Sequence, residues 1–215
     1  MSGPGRPNSN RPHVRAEIEV RIFDAARELF RALPYDEVTT HSIARHAAVA
    51  SGTVFRYAST KPELLLMVYN AAFRERVAHG LDALAEARGD DARSDATAQI
   101  MALVSPVVAE SLGDENVATY QREVLFGPAD RYRGEALEIV AGLRGAIAAA
   151  LADAWRERHG SSPPDPEIAA RTVSTSLHMT LVRAAHRSTG GAAEVLTDLA
   201  AQVELVTRGY LAARP

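Results

Sequence analysis

TTHSIARHAAVASGTVFRYASTKPELL, residues 39–65, carries three helix starts in one short run. Thr40 is a good N-cap for a segment of about two turns in which Ile43 and Ala47 point one way. After Val49 and Ala50, Ser51 is placed to cap a second short helix over 52–57. Thr60 caps a third helix, with Pro62 tolerated in its first turn and Glu63 three residues on completing a capping box. Leu64, Leu65, Val68, Ala72, Phe73 and Val77 carry that helix onward at helical spacing. Two very short helices joined by a tight turn, with longer helices on both sides, read as a helix-turn-helix.

Upstream, Ile18, Ile22, Ala25, Ala26, Leu29, Phe30 and Leu33 recur on one helical face from Arg15 onward, and Pro34 stops the run. Residues 1–13, rich in Pro, Gly, Asn and Arg, read as a disordered arm. Downstream, helical segments are expected near 95–111, 115–126, 131–159, 166–187 and 191–213. Their borders are marked by Gly89-Asp90, Gly113-Asp114, Gly127-Pro128, the Pro163–Pro166 cluster and Gly190-Gly191. Pro106, inside the first of these, is expected to kink or split it. No sustained β-alternation occurs. The fold expected is all-α: a flexible basic arm (1–14), a three-helix helix-turn-helix domain (15–62) and a larger helical domain (63–215).

The bulk numbers agree with this division. The chain of 215 residues is 47% apolar and only 6% aromatic, which suits alanine-rich packed helices. It has no cysteine, which rules out disulfides and thiolate metal sites and fits a reducing cytoplasm. No run of apolar residues is long enough to span a membrane, and the N-terminus lacks the apolar core of a signal peptide. The net charge of −3 hides an asymmetry. Residues 1–61 carry nine Arg or Lys against six Asp or Glu, and residues 62–215 carry fifteen against twenty-one. A basic front on an acidic body is the pattern expected when only the front meets a polyanion, although so small an excess also arises by chance.

Within the front end, Val54 and the preceding Ala50 suffice to anchor the second short helix. Ser51, Thr53, Phe55, Arg56 and Tyr57 are then left to face outward, where short polar groups reach base edges and longer ones reach phosphates. Lys61, the only lysine of the chain, falls at the first position of a helix, where the macrodipole disfavours a cation by up to about 1 kcal/mol. It makes sense there as part of a phosphate seat shared with free backbone N–H groups. Thr40 offers a second such seat, with His41 and Arg45 on its exposed side. Each residue also has a plainer reading: Ser51 and Thr60 as caps only, Phe55 and Tyr57 as packing on the first helix.

Taken together, VRAEIEVRIFDAARELF (14–30) and YDEVTTHSIARHAAVASGTVFRYASTKPELL (35–65) resemble the DNA-binding domain of the tetracycline-repressor (TetR) family of bacterial transcription regulators. The similar positions are Ala25-Ala26, Leu29-Phe30, Thr40, Ile43-Ala44, Ala47-Ala48-Val49, Ser51 through Tyr57, and Lys61 with Leu64. The resemblance implies DNA contacts from Thr53, Phe55, Tyr57 and Lys61, and from Ser51 and Arg45. The sequence departs from the family pattern at Pro34 and Ala48, where glycine is usual, at Phe55 in place of tyrosine, and at Ala58 in place of an aromatic. An alanine at 48 is expected to strain the turn by about 1 kcal/mol or to alter it. Arg6, Arg11 and Arg15 add to the basic side, and the arm either lies in a flanking minor groove or is a plain tail.

For the rest of the chain the resemblance implies a helical effector-binding and dimerising domain. The segments 166–187 and 191–213 are suited to pair with their copies as a four-helix bundle. Their apolar stripes are Ile168, Val173, Leu177, Leu181, Val182 and Ala185, then Val195, Leu199, Val203, Val206 and Tyr210. A twofold dimer predicts a palindromic operator with half-sites about 34–36 Å apart. Candidate walls of a pocket for an apolar small-molecule effector are Met67, Asn70, Met101, Val104, Val108, Tyr120, Val124, Trp155 and His178, all of which also suit plain core. His178 and His186 share a face but have no carboxylate at metal-ligand spacing, which favours interface or core histidines. Gly142, Gly145 and Ala149 suggest a close helix crossing. No cofactor is expected.

An enzyme would need a catalytic constellation, and the sequence has no HExxH, GxSxG or phosphate loop and no nucleophilic cysteine. The expectation is a transcriptional regulator, a repressor released from its operator by an effector. The alternatives are an activator, or a helical dimeric scaffold whose helix-turn-helix meets protein.

Overall fold

The computed structural model describes residues 11–90, 95–128, 130–185 and 191–213. Among these residues the secondary structure is helical throughout, with no strand. The order is α1 (Arg11–Ala32), a 3-10 turn (Tyr35–Glu37), α2 (Thr40–His46), α3 (Ser51–Val54) and α4 (Lys61–Asp90), followed by α5 (Ala96–Ala109), α6 (Asn116–Phe126), α7 (Arg131–His159), α8 (Glu167–Ala185) and α9 (Ala192–Leu211). The chain divides into two compact units, with the boundary inside α4 between Val68 and Tyr69. Arg6 and His186 lie outside the described residues. The first helix begins at Arg11, so Arg11 through Val14, expected in the arm, are helical.

The first unit is built around a small core. Ile22, Ala25, Ala26 and Phe30 of α1 are buried with Ile43, Ala44 and Ala47 of α2, Val54 of α3, and Leu64 and Leu65 of α4. Ala58, where an aromatic was the expected residue, is also buried. Pro34 ends the α1 run in extended backbone, and the Tyr35 ring stacks on Phe30 with centroids 6.1 Å apart.

Three caps differ from expectation. The cap of α2 is Thr39, not Thr40: its hydroxyl accepts from the Ser42 N–H at 2.9 Å, and Ser42 returns the bond to the Thr39 N–H. Two adjacent threonines have equal capping propensity, and the serine three residues after Thr39 closes the box there. The second correction is at α3, whose cap is Ala50, exposed and without a side-chain bond; Ser51 is its first helical residue. That helix is one turn long and does not reach 57, because the Tyr57 N–H bonds back to Val54 O in the tighter i→i−3 pattern. At α4 Thr60 does accept from the Glu63 N–H, but the Glu63 carboxylate turns to the Ser59 N–H and hydroxyl.

In the second unit α8 packs against α9, α7 and α6, and α9 against α5. The expected stripes turn inward: Val173, Leu177, Leu181, Val195, Leu199, Val203 and Tyr210 are buried within the chain, while Ile168 is exposed. Pro106 is accommodated inside an unbroken α5. Gly142 and Gly145 do not mark a close crossing, since a Cβ on either would meet open space. The close approach is at Gly80 of α4, where a Cβ would lie 2.0 Å from the Leu103 carbonyl oxygen of α5. The spacing of small residues alone does not tell a crossing point from an exposed face.

Candidate functional site

The turn between α2 and α3 follows the Schellman pattern: the Ala48 N–H bonds to Arg45 O at 3.2 Å and the Val49 N–H to Ala44 O at 2.9 Å. This pattern requires a left-handed residue, and Ala48 takes that place with φ of 52°. The turn therefore keeps its shape without glycine and carries strain of about 1 kcal/mol. Arg21 of α1 reaches this turn and donates to the carbonyl oxygens of Ala47 and Ala48. Nothing in the periodicity of α1 singled out Arg21, because its partners lie 26 and 27 residues away.

Around that turn the structure gathers the residues expected to read nucleic acid. His41, Arg45, Phe55 and Arg56 are exposed, and Thr40, Ser51, Thr53 and Tyr57 are half-buried. His41 Nδ1 lies 3.3 Å from Ser51 Oγ, linking the two helix starts. Phe55 remains 48% exposed, so its ring is not packed away on α1. Tyr57 instead turns its hydroxyl to α1 and donates to Arg15 O at 3.0 Å. His46, at the end of α2, lies 2.6 Å from the Glu28 carboxylate of α1.

Lys61 has local partners that the sequence did not reveal. Its ammonium donates to Tyr35 O at 2.9 Å and to Val38 O at 3.1 Å, and stands 4.0 Å from the centre of the Tyr35 ring. Two of its three protons are thereby committed. The cation at the start of α4 is offset by carbonyl dipoles and a ring face from the 3-10 turn and the residue after it. One proton remains for an outside acceptor.

Of the candidate effector-pocket residues, Met67 falls in the first unit and the other eight in the second. The structure joins two of these eight directly. Tyr120 donates to Asn70 Oδ1 at 3.0 Å, and Asn70 Nδ2 donates to Tyr132 O at 2.7 Å. Beside them Tyr69 donates to both oxygens of Asp114 at 2.8 Å. Burial and the Asp114 carboxylate push the Tyr69 hydroxyl well above its ordinary pKa, and burial does the same to Tyr120. Val104, Val108 and Val124 are buried and Met101 is half-buried.

His178 is bonded through Nδ1 to Gln121 Oε1, and its burial lowers its pKa. Gln121 and Asp114 were not among the expected residues: Gln121 is one polar position within α6, and Asp114, in the α5–α6 turn, was read only as a segment border. Trp155 belongs to a different cluster: its indole donates to Ser161 and packs against His159 and Tyr210. A concavity of about 440 Å³ is lined by Asp95, Thr97, Arg158, Glu204 and Arg208 among others, none of them a candidate. Its charged lining does not suit an apolar guest. No helix among the described residues is long and apolar enough to cross a membrane.

The structure thus comprises a helix-turn-helix on a buried core, followed in the chain by a larger all-helical unit. Residues 22–68 match the family model of bacterial regulatory proteins, tetR family. Similar solved structures include the Thermus thermophilus repressor FadR in complex with lauroyl-CoA. It is 24% identical over 92% of this chain and 97% of that one, with a TM-score of 0.66. RolR in complex with resorcinol is 19% identical over 95% and 97%, with a TM-score of 0.64. FadR from Bacillus subtilis, in complex with stearoyl-CoA, is 20% identical over 88% and 98%, with a TM-score of 0.62. At these identities the likeness concerns the fold. No curated protein matches the chain.

Proposed function

We propose that this regulator is a homodimeric repressor that leaves a palindromic operator when a small, largely apolar effector enters its second unit. The observation that carries the reading is the exposed surface around the α2–α3 turn. There His41, Arg45, Thr53, Phe55 and Arg56 accompany two helix starts on a frame fixed by Arg21, Tyr57 and Lys61. Arg45 and Arg56 would meet phosphates, Thr40, Ser51 and Thr53 would meet phosphates or base edges, and Lys61 would offer its remaining proton to a phosphate. Phe55 would supply an apolar contact, for instance to a thymine methyl, and Tyr57 would contact DNA chiefly through its ring edge.

Dimerisation through α8 and α9 is supported by the apolar side chains these helices leave in solvent. Ile168 is 69% exposed, Met179 50% and Leu205 75%. In a twofold dimer the two copies of α3 would meet successive turns of one face of the duplex.

Effector coupling is assigned to α4, which contributes residues to both units. The part of it in the second unit is tied to the α5–α6 turn and to α7 by Tyr69, Asn70 and Arg76, which bond to Asp114, Tyr132 and Ser111. A guest among Asn70, Val104, Val108, Tyr120, Val124 and His178 would have to break part of this network, and a shift of α4 would follow. The similar structures hold acyl-CoA or resorcinol, and those two chemistries make the first effector panel. A ligand changes operator affinity only through its different affinity for the two states.

The test is selection of duplexes by the full chain from a random library, followed by fluorescence anisotropy on the enriched sequence. Enrichment of an inverted repeat, and affinity that falls steeply with salt at a slope of about −0.9 per neutralised phosphate, supports the reading. Acyl-CoA or resorcinol should then release the duplex. An enriched sequence without twofold symmetry, or binding indifferent to salt, overturns it.

A further inference from the structure

The exposed Arg21 makes contacts that place it outside both the core and the reading surface. Its Nε and Nη2 donate to Ala47 O, the former at 3.0 Å, and Nη2 also donates to Ala48 O at 2.6 Å. These two carbonyls belong to the peptide planes on either side of the Ala48 Cα. Rotation about φ of Ala48 swings the first plane, and rotation about ψ swings the second. One planar guanidinium bound to both therefore holds both dihedrals at once, through three bonds from two nitrogens at fixed angles, where an ammonium offers a single nitrogen.

The residue so held is the only non-glycine with positive φ among the described residues. Left-handed backbone costs an alanine free energy and costs glycine almost none. The Ala48 side chain is exposed, so no packing of its Cβ offsets that cost. The Schellman bonds favour the turn but come from the same short segment that would unwind if Ala48 relaxed. Arg21 is the tie from outside: it is anchored on α1 between Ile22 and the arm, and Ile22 is fully buried. Beyond the turn lie only Val49 and Ala50 before α3 begins at Ser51. A small change in either dihedral of Ala48 therefore moves the start of the recognition helix relative to α2.

We infer that Arg21 is a positioning residue for DNA recognition, clamping a strained alanine turn so that α3 is presented at one angle. The inference rests on the DNA-binding reading above and adds a residue that itself reads no base. It separates two effects of losing the same charge. Removing a phosphate-binding charge weakens binding to every duplex alike, whereas removing a clamp weakens the selected duplex and spares random DNA. It also predicts energetic coupling to position 48, since a glycine holds the left-handed turn without help.

The experiment compares the full chain with Arg21→Gln, Arg21→Lys, Ala48→Gly and the Arg21→Gln/Ala48→Gly double variant. Binding is read by anisotropy on the duplex enriched by the wild type and on a random duplex at the same salt. Circular dichroism melts show that each variant is folded. Arg21→Gln is expected to weaken the selected duplex by about tenfold and the random duplex by no more than about twofold. Arg21→Lys should recover only part of that, because one nitrogen replaces the two-nitrogen fork on the Ala47 oxygen. In the Ala48→Gly background the Arg21→Gln loss should shrink to about twofold to threefold.

Equal losses on both duplexes, or full recovery with Arg21→Lys, would reduce Arg21 to a phosphate charge and overturn the clamp. The same loss in the alanine and glycine backgrounds would also overturn it. If Arg21→Gln does not fold, Arg21→Lys in the two backgrounds gives the same comparison. A wild-type chain that enriches no duplex would remove the DNA-binding reading itself and the positioning role with it. Enrichment by the wild type with uncoupled variants removes only the clamp.

Discussion

Lys61→Ala separates two roles that one ammonium can fill. In the structure Nζ bonds to Tyr35 O and Val38 O and stands over the Tyr35 ring. The side chain is half-buried, so water competes for both carbonyls, and each bond is worth about 1 kcal/mol net. The ring contact adds about 0.5–1 kcal/mol. Against this, alanine has slightly better helix propensity and removes a cation from a helix N-terminus, together worth about 0.5–1 kcal/mol. The net expected loss is about 2 kcal/mol. In a chain of this length that lowers the melting midpoint by about 4–8 °C, or lowers the transition of the first unit if it melts separately. The assay is calorimetry or a circular dichroism melt, run beside anisotropy titrations of the selected duplex across a salt series. If Lys61 also holds a phosphate, the salt slope becomes shallower by about 0.9 for each phosphate it no longer neutralises. A midpoint within about 1 °C of the wild type would refute the worth assigned to the carbonyl contacts. A slope that does not move, together with a lowered midpoint, would refute the phosphate role and leave Lys61 a purely structural residue.

Three further outcomes are expected. Gly80→Ala puts a Cβ 2.0 Å from Leu103 O, forcing α4 and α5 apart. The strain of about 2–3 kcal/mol, offset by about 1 kcal/mol of helix propensity, should destabilise the chain to urea by a net of about 1–2 kcal/mol. Tyr69→Phe removes the hydroxyl that donates to Asp114 while the Asn116 N–H remains; a loss of about 1.5–2 kcal/mol in urea unfolding is expected, and an unchanged midpoint would show the bond to be replaced by water. Burial lowers the pKa of His178 below its ordinary 6.5, so on acidification the unfolded chain takes up this proton before the folded one. Its contribution to stability is therefore constant above about pH 6.5 and is lost progressively below it, and His178→Gln should flatten that part of the profile measured from about pH 8 to pH 5.

Much of the architecture was legible in the sequence because its signals are local. The Pro and Gly clusters bounded the downstream helices to within a residue or two, and the segment expected at 131–159 is helical from Arg131 to His159. The need for left-handed backbone at Ala48 was also legible, and the structure retains it. The errors have equally physical origins. Thr39 and Thr40 are indistinguishable by propensity, and only the reach of Ser42 decides between them. The stripes of α8 and α9 revealed which faces are apolar without saying whether the chain itself or a second copy covers them. Among the pocket candidates, the pattern could not part Trp155, which packs with Tyr210, from Asn70 and Tyr120, which bond to each other.

By itself, the sequence determined the class of fold, the position of the helix-turn-helix and the strained turn within it. Caps, periodicity and backbone preference act over one to four residues and are written in adjacent letters. Only the tertiary structure decided what holds that turn and that lysine. Arg21 finds carbonyls 26 and 27 residues away, Lys61 finds them 26 and 23 away, and Gly80 meets the backbone of Leu103. A backbone carbonyl is present at every residue, so no residue type announces which one will come within reach of a distant donor. That is settled when the helices pack and the end of one element comes to lie beside a donor on another.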